Sequence, residues 1–587
     1  MNLNRFHQKM RCLFIMVAGA FIALIPEKEC LARQDTIRRG ITVTGNSRIS
    51  AQLSTREGNY QEISRNYSRW ELNNTLGIAG IPVLTTLFLT TESNTSRQSI
   101  TGFRIGLDAK AIARNKLYEK FRFLSFFPTL EAGNCRPVYS PLIFNGVNLR
   151  GVNVEFNPGP FYAAFATGRL VRAVRDAAPL YQAYERNLTF GRIGVGKIRN
   201  SYFAFSFLHA KDDPNSVQPD PHWYKSDPDT LVYNAETYIH RYDSSYLTLL
   251  PRENYVAGAE LSATFFKKKL FMTGEVAGSL ATANQNAFGL TFEKIPDPLH
   301  KLFDFNASSR VDYAWFFRSG LKLRNTEITG QTRYIGPGYV SLGTAYLRAD
   351  VNQVEGNLVQ YLYRKKITLR FYYKNSSDNL MDWKQQTSRT TNWGVHVSLR
   401  LPKAPWFTVL YSPYHSSYLM NNRTVSWDAG NLSLSSGHQL RMGKSSALTS
   451  ALVSFQNGKN TLESSGGNMK NMNLMISETV NLSKPLSLYG GWGINDLETG
   501  QTERKTLTYN GKITYSGLKW MHALAGISHT VWKDIMVRSK IYFSTQVEMG
   551  KFGILTLQAD RNQFENHKKP EQNYTEYVYR IGLAHRW

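Results

Sequence analysis

Several stretches of this sequence carry residue types that do chemistry elsewhere, and most fail on spacing. "GHQLRMGKS" (Gly437 to Ser445) has the glycines, lysine and serine of a phosphate cradle. Five residues separate its glycines where the cradle needs four, and it sits among short alternating runs with no helix to follow. Asp212, Asp213, Asp220, Asp227 and Asp229 offer carboxylates of the kind that hold calcium. Their spacing matches no EF-hand, so a solvated loop is expected over 212–229, with an irregular calcium site left open. The sequence holds no G-x-S-x-G elbow, no H-E-x-x-H and no C-x-x-C, and its later histidines are scattered from His209 to His585. We therefore expect no enzyme, no cofactor and no metal. Distant residues do converge in folded chains, so a hydrolase embedded in the fold stays open as a third reading.

Two other features remain. Gly336, Pro337, Gly338 and Tyr339 form "GPGY", which serves either as a turn between strands or as a constriction or partner-binding loop. Arg370, Arg400 and Arg580 fall on one side of alternating runs whose other side is bulky and apolar.

That alternation is the element that must position them. Ile367, Leu369, Phe371 and Tyr373 alternate with Lys366, Thr368, Arg370 and Tyr372; Trp393, Val395 and Val397 alternate with Gly394, His396 and Ser398. A period of two marks strands with unlike faces. Tight turns at Asn157–Pro160, Lys197–Asn200, Lys267–Lys269 and Pro402–Pro405 join such runs, while long polar segments such as Asp212–Arg252 and Ala283–Asn306 join others. Short turns at one end and long loops at the other are the pattern of a transmembrane β-barrel. The reading is all-β: an antiparallel outer-membrane barrel of about 24 strands, within a range of about 20–26. Helical pattern is confined to Leu107–Phe123, read as a short helix in a connection.

The ends of the chain agree with export. Arg5, Lys9 and Arg11 precede the apolar run Cys12–Ile25, and Ala32 closes a small-residue cleavage site. That run is shorter than the about 20 residues of a spanning helix, so 1–32 is expected to be a cleaved signal peptide and 33–587 the barrel. Alternation begins near Ile41, which leaves no room for a plug domain of the TonB-dependent kind. Only Cys135 then remains, so no internal disulfide is expected. The formal charge of +26 falls to +24 once the four Lys/Arg and two Glu of 1–32 are removed. Such a surplus fits phosphate-bearing lipids or anionic solutes; no nucleic-acid motif accompanies it.

At the other end, Tyr577, Tyr579, Leu583 and Trp587 form the bulky face of a final alternating strand. This strand resembles the signal by which the barrel-insertion machinery recognises outer-membrane barrels. The chain as a whole resembles a set of poorly characterised outer-membrane barrels of Bacteroidota, on "RIGVGKIRNSYFAFSFLHAKDDPNS" (Arg192 to Ser216), "YIGPGYVSLGTAYLRADV" (Tyr334 to Val351) and "FYYKNSSDNL" (Phe371 to Leu380). The resemblance implies an outer-membrane location and brings no activity with it.

In a barrel the face opposite the bulky one is the lumen. A cation on the lipid face costs about 2–4 kcal/mol at mid-membrane, which favours Arg370, Arg400 and Arg580 pointing inward. A basic interior would prefer anions. The leading expectation is a porin-like conduit with a polar, basic lumen. The alternative is a scaffold or partner-binding barrel of a secretion, surface-display or envelope-assembly complex. Expected partners are outer-membrane lipid and lipopolysaccharide, the insertion machinery and an envelope protein.

Overall fold

The protein is described by a computed structural model over residues 42–58, 66–78, 81–92, 101–114, 116–174, 182–197, 200–217, 250–290, 303, 305–420, 423–461, 468–483, 485–500 and 502–587. The expected signal peptide at 1–32 lies outside the described residues, as do Asp220, Asp227 and Asp229. Strands are numbered β1 to β28 along the chain.

Twenty-six of them form one sheet. Each pairs antiparallel with its neighbour along the chain, and β1 (Thr42–Gly58) pairs with β28 (Tyr574–Arg586) over Asn46 to Gly58. The sheet therefore closes on itself, leaving no unpaired edge. The count of 26 lies at the upper end of the expected range of about 20–26, slightly above its centre of about 24. β4 (Gly102–Leu107) and β5 (Thr129–Cys135) show why: six and seven residues give too few alternations to read. Among the described residues no helix is long and apolar enough to cross a membrane.

The faces are inverted relative to a water-soluble protein. In β11 (Ser201–Asp213), Phe203 and Phe205 are 49% and 46% exposed, whereas Ala204, Leu208 and Ala210 on the other face are fully buried. Neighbouring strands extend the exposed face with Ile193, Val195, Leu261 and Val276. Removing one such side chain from water is worth roughly 1.5–3 kcal/mol, so a continuous outer belt of them demands an apolar solvent.

One end of the barrel carries the tight turns, including those expected at 157–160, 197–200, 267–269 and 402–405. β1 starts and β28 finishes at that end. The opposite end carries the longer connections, 136–148, 172–184, 214–252, 283–308 and 336–350 among them.

The helical pattern expected over 107–123 resolves into two pieces at the tight-turn end. α1 (Ala109–Arg114) is an α-helix started by Asp108, whose carboxylate accepts from the Ala111 N–H at 3.0 Å. The following Lys116–Phe126 is 3₁₀. Aromatic residues and Ser125, whose hydroxyl bonds back to the Arg122 carbonyl, weaken the α form there.

Glycines bend the wall where it is most crowded. Gly133, Gly151 and Gly168 sit in register across β5, β8 (Leu149–Phe156) and β9 (Phe161–Val171). Gly133 has φ +102°, and a Cβ on Gly151 would lie 1.9 Å from the Thr167 carbonyl oxygen.

Candidate functional site: the barrel lumen

The lumen has two unlike halves. One half is filled. Between β5 and β8 the chain dips inward as a small hairpin, β6 (Val138–Ser140) and β7 (Phe144–Asn145). A second inward loop, 336–350, leaves β15 (Thr326–Ile335) and returns into β16 (Val351–Leu362). The two loops meet. The Asn145 N–H donates to the Gly343 carbonyl at 2.9 Å, the Ser341 hydroxyl to the Ile143 carbonyl at 2.6 Å and the Tyr339 hydroxyl to the Leu142 carbonyl at 3.1 Å.

Their apolar side chains make the main core. Leu142, Ile143, Phe144 and Tyr339 pack against Phe190, Leu208, Val256 and Ala277 of the inner wall, all nearly or fully buried. Ala164, Ala166, Ala210, Ala277 and Ala314 lie among these wall residues, where bulkier inward side chains would exclude the loops.

Polar anchors fix the plug in place. Arg192 on β10 (Glu185–Lys197) is 3% exposed; it donates to the Tyr139 carbonyl at 2.7 Å and to Glu260 at 2.9 Å. Tyr202 also donates to Glu260, at 2.5 Å. Glu275, buried on β13 (Leu270–Thr282), accepts from the Ser140 hydroxyl, while its second oxygen has no hydrogen bond among the described residues. Asn254 clamps the second loop, donating to the Val340 carbonyl and accepting from the Leu342 N–H, both at 3.0 Å. Burial, with Glu275 nearby, holds the Tyr339 hydroxyl above its usual range, so it acts as a neutral donor.

"GPGY" begins this second loop. The Tyr339 N–H returns to the Gly336 carbonyl at 3.2 Å, making a turn, and the Gly338 N–H donates to Asp312 at 2.6 Å. At the far end of the loop, Asp350 accepts from the N–H groups of Asn379 at 3.1 Å and Leu380 at 2.8 Å and from the Lys384 ammonium. Burial pulls its carboxyl upward, but these donors outweigh burial and hold it below the usual carboxylate range. The stability this contributes is present above the unfolded value of about 3.9 and is lost as pH falls through the depressed folded value. Asp350→Asn is thus expected to weaken the protein at neutral pH, and the difference from wild type to shrink in strong acid, as read by denaturant midpoints at several pH values.

Three stretches quoted from the sequence, 192–216, 334–351 and 371–380, each contribute to this plug. Arg192 holds the hairpin, 336–350 is the second loop, and Asn379 and Leu380 anchor its exit. Hydrogen bonds between positions 197 and 198 apart tie the loops together.

The other half of the wall lacks such packing. Arg370 lies on β17 (Ile367–Ser377) directly across from His396 on β18 (Gln386–Leu399), and Arg400 continues that face just past the strand end. On the opposite face Phe371 and Tyr373 are exposed. Tyr372, beside Arg370 on its own face, is hydrogen-bonded to Ser412 and, at 3.3 Å, to Asn392. Neither Arg370 nor Arg400 has an ion pair among the described residues, and the His396 Nδ1 has no hydrogen-bond partner there. Arg580 differs: it donates to Gln52 at 2.7 Å and to Asp560 at 2.8 Å, an aspartate that also meets Lys540 at 3.3 Å. Asp560 thus lies between two cations, and Arg580 is held in an ion pair where Arg370 and Arg400 are not. Farther around, Thr508, Asn510 and Lys512 share a face, with Lys512 5.4 Å from the Tyr489 ring centroid.

In the final strand Tyr579 and Ile581 are exposed and Glu576 and Val578 buried. Tyr577 and Leu583 are half-buried, and Trp587 pairs its backbone with Gly45 at 3.0 and 3.2 Å. The "GHQLRMGKS" stretch is the end of one strand and the hairpin turn at Gly443–Lys444. Asp212 is bound to Arg186 at 2.7 Å and the Arg252 N–H at 2.9 Å; Asp213 caps Asn215. No group of His, Cys, Asp and Glu among the described residues is arranged to hold a metal ion.

No family model matches the sequence. No curated protein matches it. Solved structures similar to the chain are outer-membrane proteins. Pseudomonas aeruginosa OccK9 (OpdG) is 13% identical with a TM-score of 0.28, covering 58% of this chain and 92% of that one. P. aeruginosa OpdK with vanillate is 9% identical with a TM-score of 0.29, covering 58% and 94%. A BenF-like porin from P. fluorescens Pf-5 is 9% identical with a TM-score of 0.28, covering 58% and 92%. The barrel assignment rests on the unbroken strand pairing and not on these likenesses.

Proposed function

We propose that this chain is an outer-membrane barrel that conducts small anionic solutes through the unplugged half of its lumen. The observation that carries the reading is the pair of uncompensated cations Arg370 and Arg400, with Arg370 across from His396, facing inward on strands whose other face is apolar. The even strand number, the asymmetry of the connections and the exposed outer belt support an outer-membrane location. The final strand, with Tyr577, Tyr579, Leu583 and Trp587, then serves as the address for the insertion machinery. Purified protein in a planar bilayer is expected to give discrete conductance steps. A barrel that inserts and stays electrically silent would refute conduction.

A second reading is favoured by the plug itself. The inward loops fill one half of the lumen with a well-packed core, as a barrel built to hold a partner would allow. A silent barrel that co-purifies with an envelope protein would support that reading.

A further inference from the structure

Several tight turns of the barrel are strongly cationic. The turn 266–269 reads Phe-Lys-Lys-Lys, and 363–366 reads Tyr-Arg-Lys-Lys. Around the same rim Lys403, Lys444, Lys519 and Lys551 each occupy a turn of their own, all exposed. None of these turns holds an Asp or Glu. The connections at the other end do: Glu92, Asp378, Asp382, Asp534 and Glu571 all lie there. The net positive charge is thus polarised along the barrel axis.

Each turn also presents an exposed apolar side chain beside its cation. Phe266 and Tyr363 are 75% and 76% exposed; Met442, Trp520 and Phe552 accompany Lys444, Lys519 and Lys551. Lys365 lies 5.5 Å from the Tyr361 ring centroid and Lys551 5.3 Å from that of Phe552. None of the basic residues named on this rim has an ion pair among the described residues.

The backbone gives an independent indication. Phe266, Lys267 and Lys268 have φ of 50°, 56° and 68°; Tyr363, Arg364 and Lys365 have 46°, 56° and 69°. Both turns close with the same bond, Lys269 N–H to the Phe266 carbonyl and Lys366 N–H to the Tyr363 carbonyl, each at 3.2 Å. Left-handed backbone costs a side-chain-bearing residue about 1–2 kcal/mol, and Gly or Asn would relieve it. Six such positions filled instead by aromatic and basic residues indicate that the side chains themselves are used.

We infer that this rim binds the phosphate groups of anionic phospholipids in the leaflet it faces. The inference rests on the membrane reading above. Tight turns of outer-membrane barrels face the periplasm, which places this rim at the inner-leaflet headgroups. An aromatic ring seated at the interface with a lysine reaching to a phosphate is the side-chain combination found at headgroup level. An acidic protein would need one cationic patch; the repetition of the same pair turn after turn matches a continuous ring of lipids.

Native mass spectrometry of the full-length protein released from nanodiscs of equal phosphatidylglycerol and phosphatidylcholine tests this. Phosphatidylglycerol is expected to be retained over phosphatidylcholine by about fivefold, the preference a single well-placed lysine contributes. K267Q/K268Q/K365Q/K366Q is expected to lose most of that preference. K459Q/K470Q/K505Q/K533Q, an equal neutralisation at the long-loop end, is expected to keep it. Equal retention of both lipids by wild type, or an unchanged preference in the first variant, overturns the inference. So does capture of soluble polyglutamate through the same lysines in place of lipid. Failure of wild type to enter neutral phosphatidylcholine nanodiscs would instead overturn the membrane reading on which it rests.

Discussion

Arg192→Ala is expected to destabilise the barrel by about 3–5 kcal/mol, because it leaves Glu260 buried without its cation. Arg192 and Glu260 have side chains 2% and 7% exposed, so water screens the pair little. The same guanidinium also holds the Tyr139 carbonyl, the outer edge of the inward hairpin. Loss of the pair and loss of the plug anchor therefore coincide. Denaturant unfolding in detergent should show the full penalty, and protease access to 136–148 should rise in parallel. Glu260→Gln in the Arg192→Ala background removes the stranded charge and is expected to recover part of the stability without restoring the hairpin contact. A variant as stable as wild type would mean that Arg192 does not anchor the plug.

The second large effect is electrical. Reversing both uncompensated cations, R370E/R400E, is expected to convert anion preference into cation preference, read as a change of sign in the reversal potential under a salt gradient. These two residues have no ion pair, whereas Arg580 is offset by Asp560, so Arg580→Gln is expected to shift selectivity much less. Arg580→Gln also leaves Asp560 with Lys540 as its cation, so the wall survives the change. An unchanged reversal potential in R370E/R400E would place the permeation path elsewhere.

The contrast between these arginines marks how far the sequence could be read. Arg370, Arg400 and Arg580 look alike along the chain, since each falls on the small face of an alternating run. Only the register shows that Gln558 stands opposite Arg580 and places Asp560 within reach, while Arg370 faces a histidine. Alternation reveals which face a residue occupies but not who stands across from it. For the same reason the barrel was legible almost everywhere. A period of two repeats in long strands such as β11 and fades in β4 and β5, which are too short to show it.

The plug was not legible, and the cause is separation. Tyr139, Leu142 and Ile143 meet Tyr339 and Ser341 across nearly two hundred residues, and neither loop has a periodic pattern to announce that it folds inward. "GPGY" carried a trace, since a Gly-Pro-Gly turn permits a sharp entry, but Tyr339 has no local feature to mark it as fully buried. Ala204, Ser206 and Ala210 on the inward face of β11 and Ala277, Ser279 and Ala281 on that of β13 were the available signal. Small residues there leave room for something bulky inside.

The most direct test of the account is the zero-current potential of wild-type protein in a planar bilayer separating two salt concentrations. The account predicts discrete conductance steps with a reversal potential of the sign that anion flow produces. Conductance with cation preference, or an inserted barrel that passes no current, would contradict it.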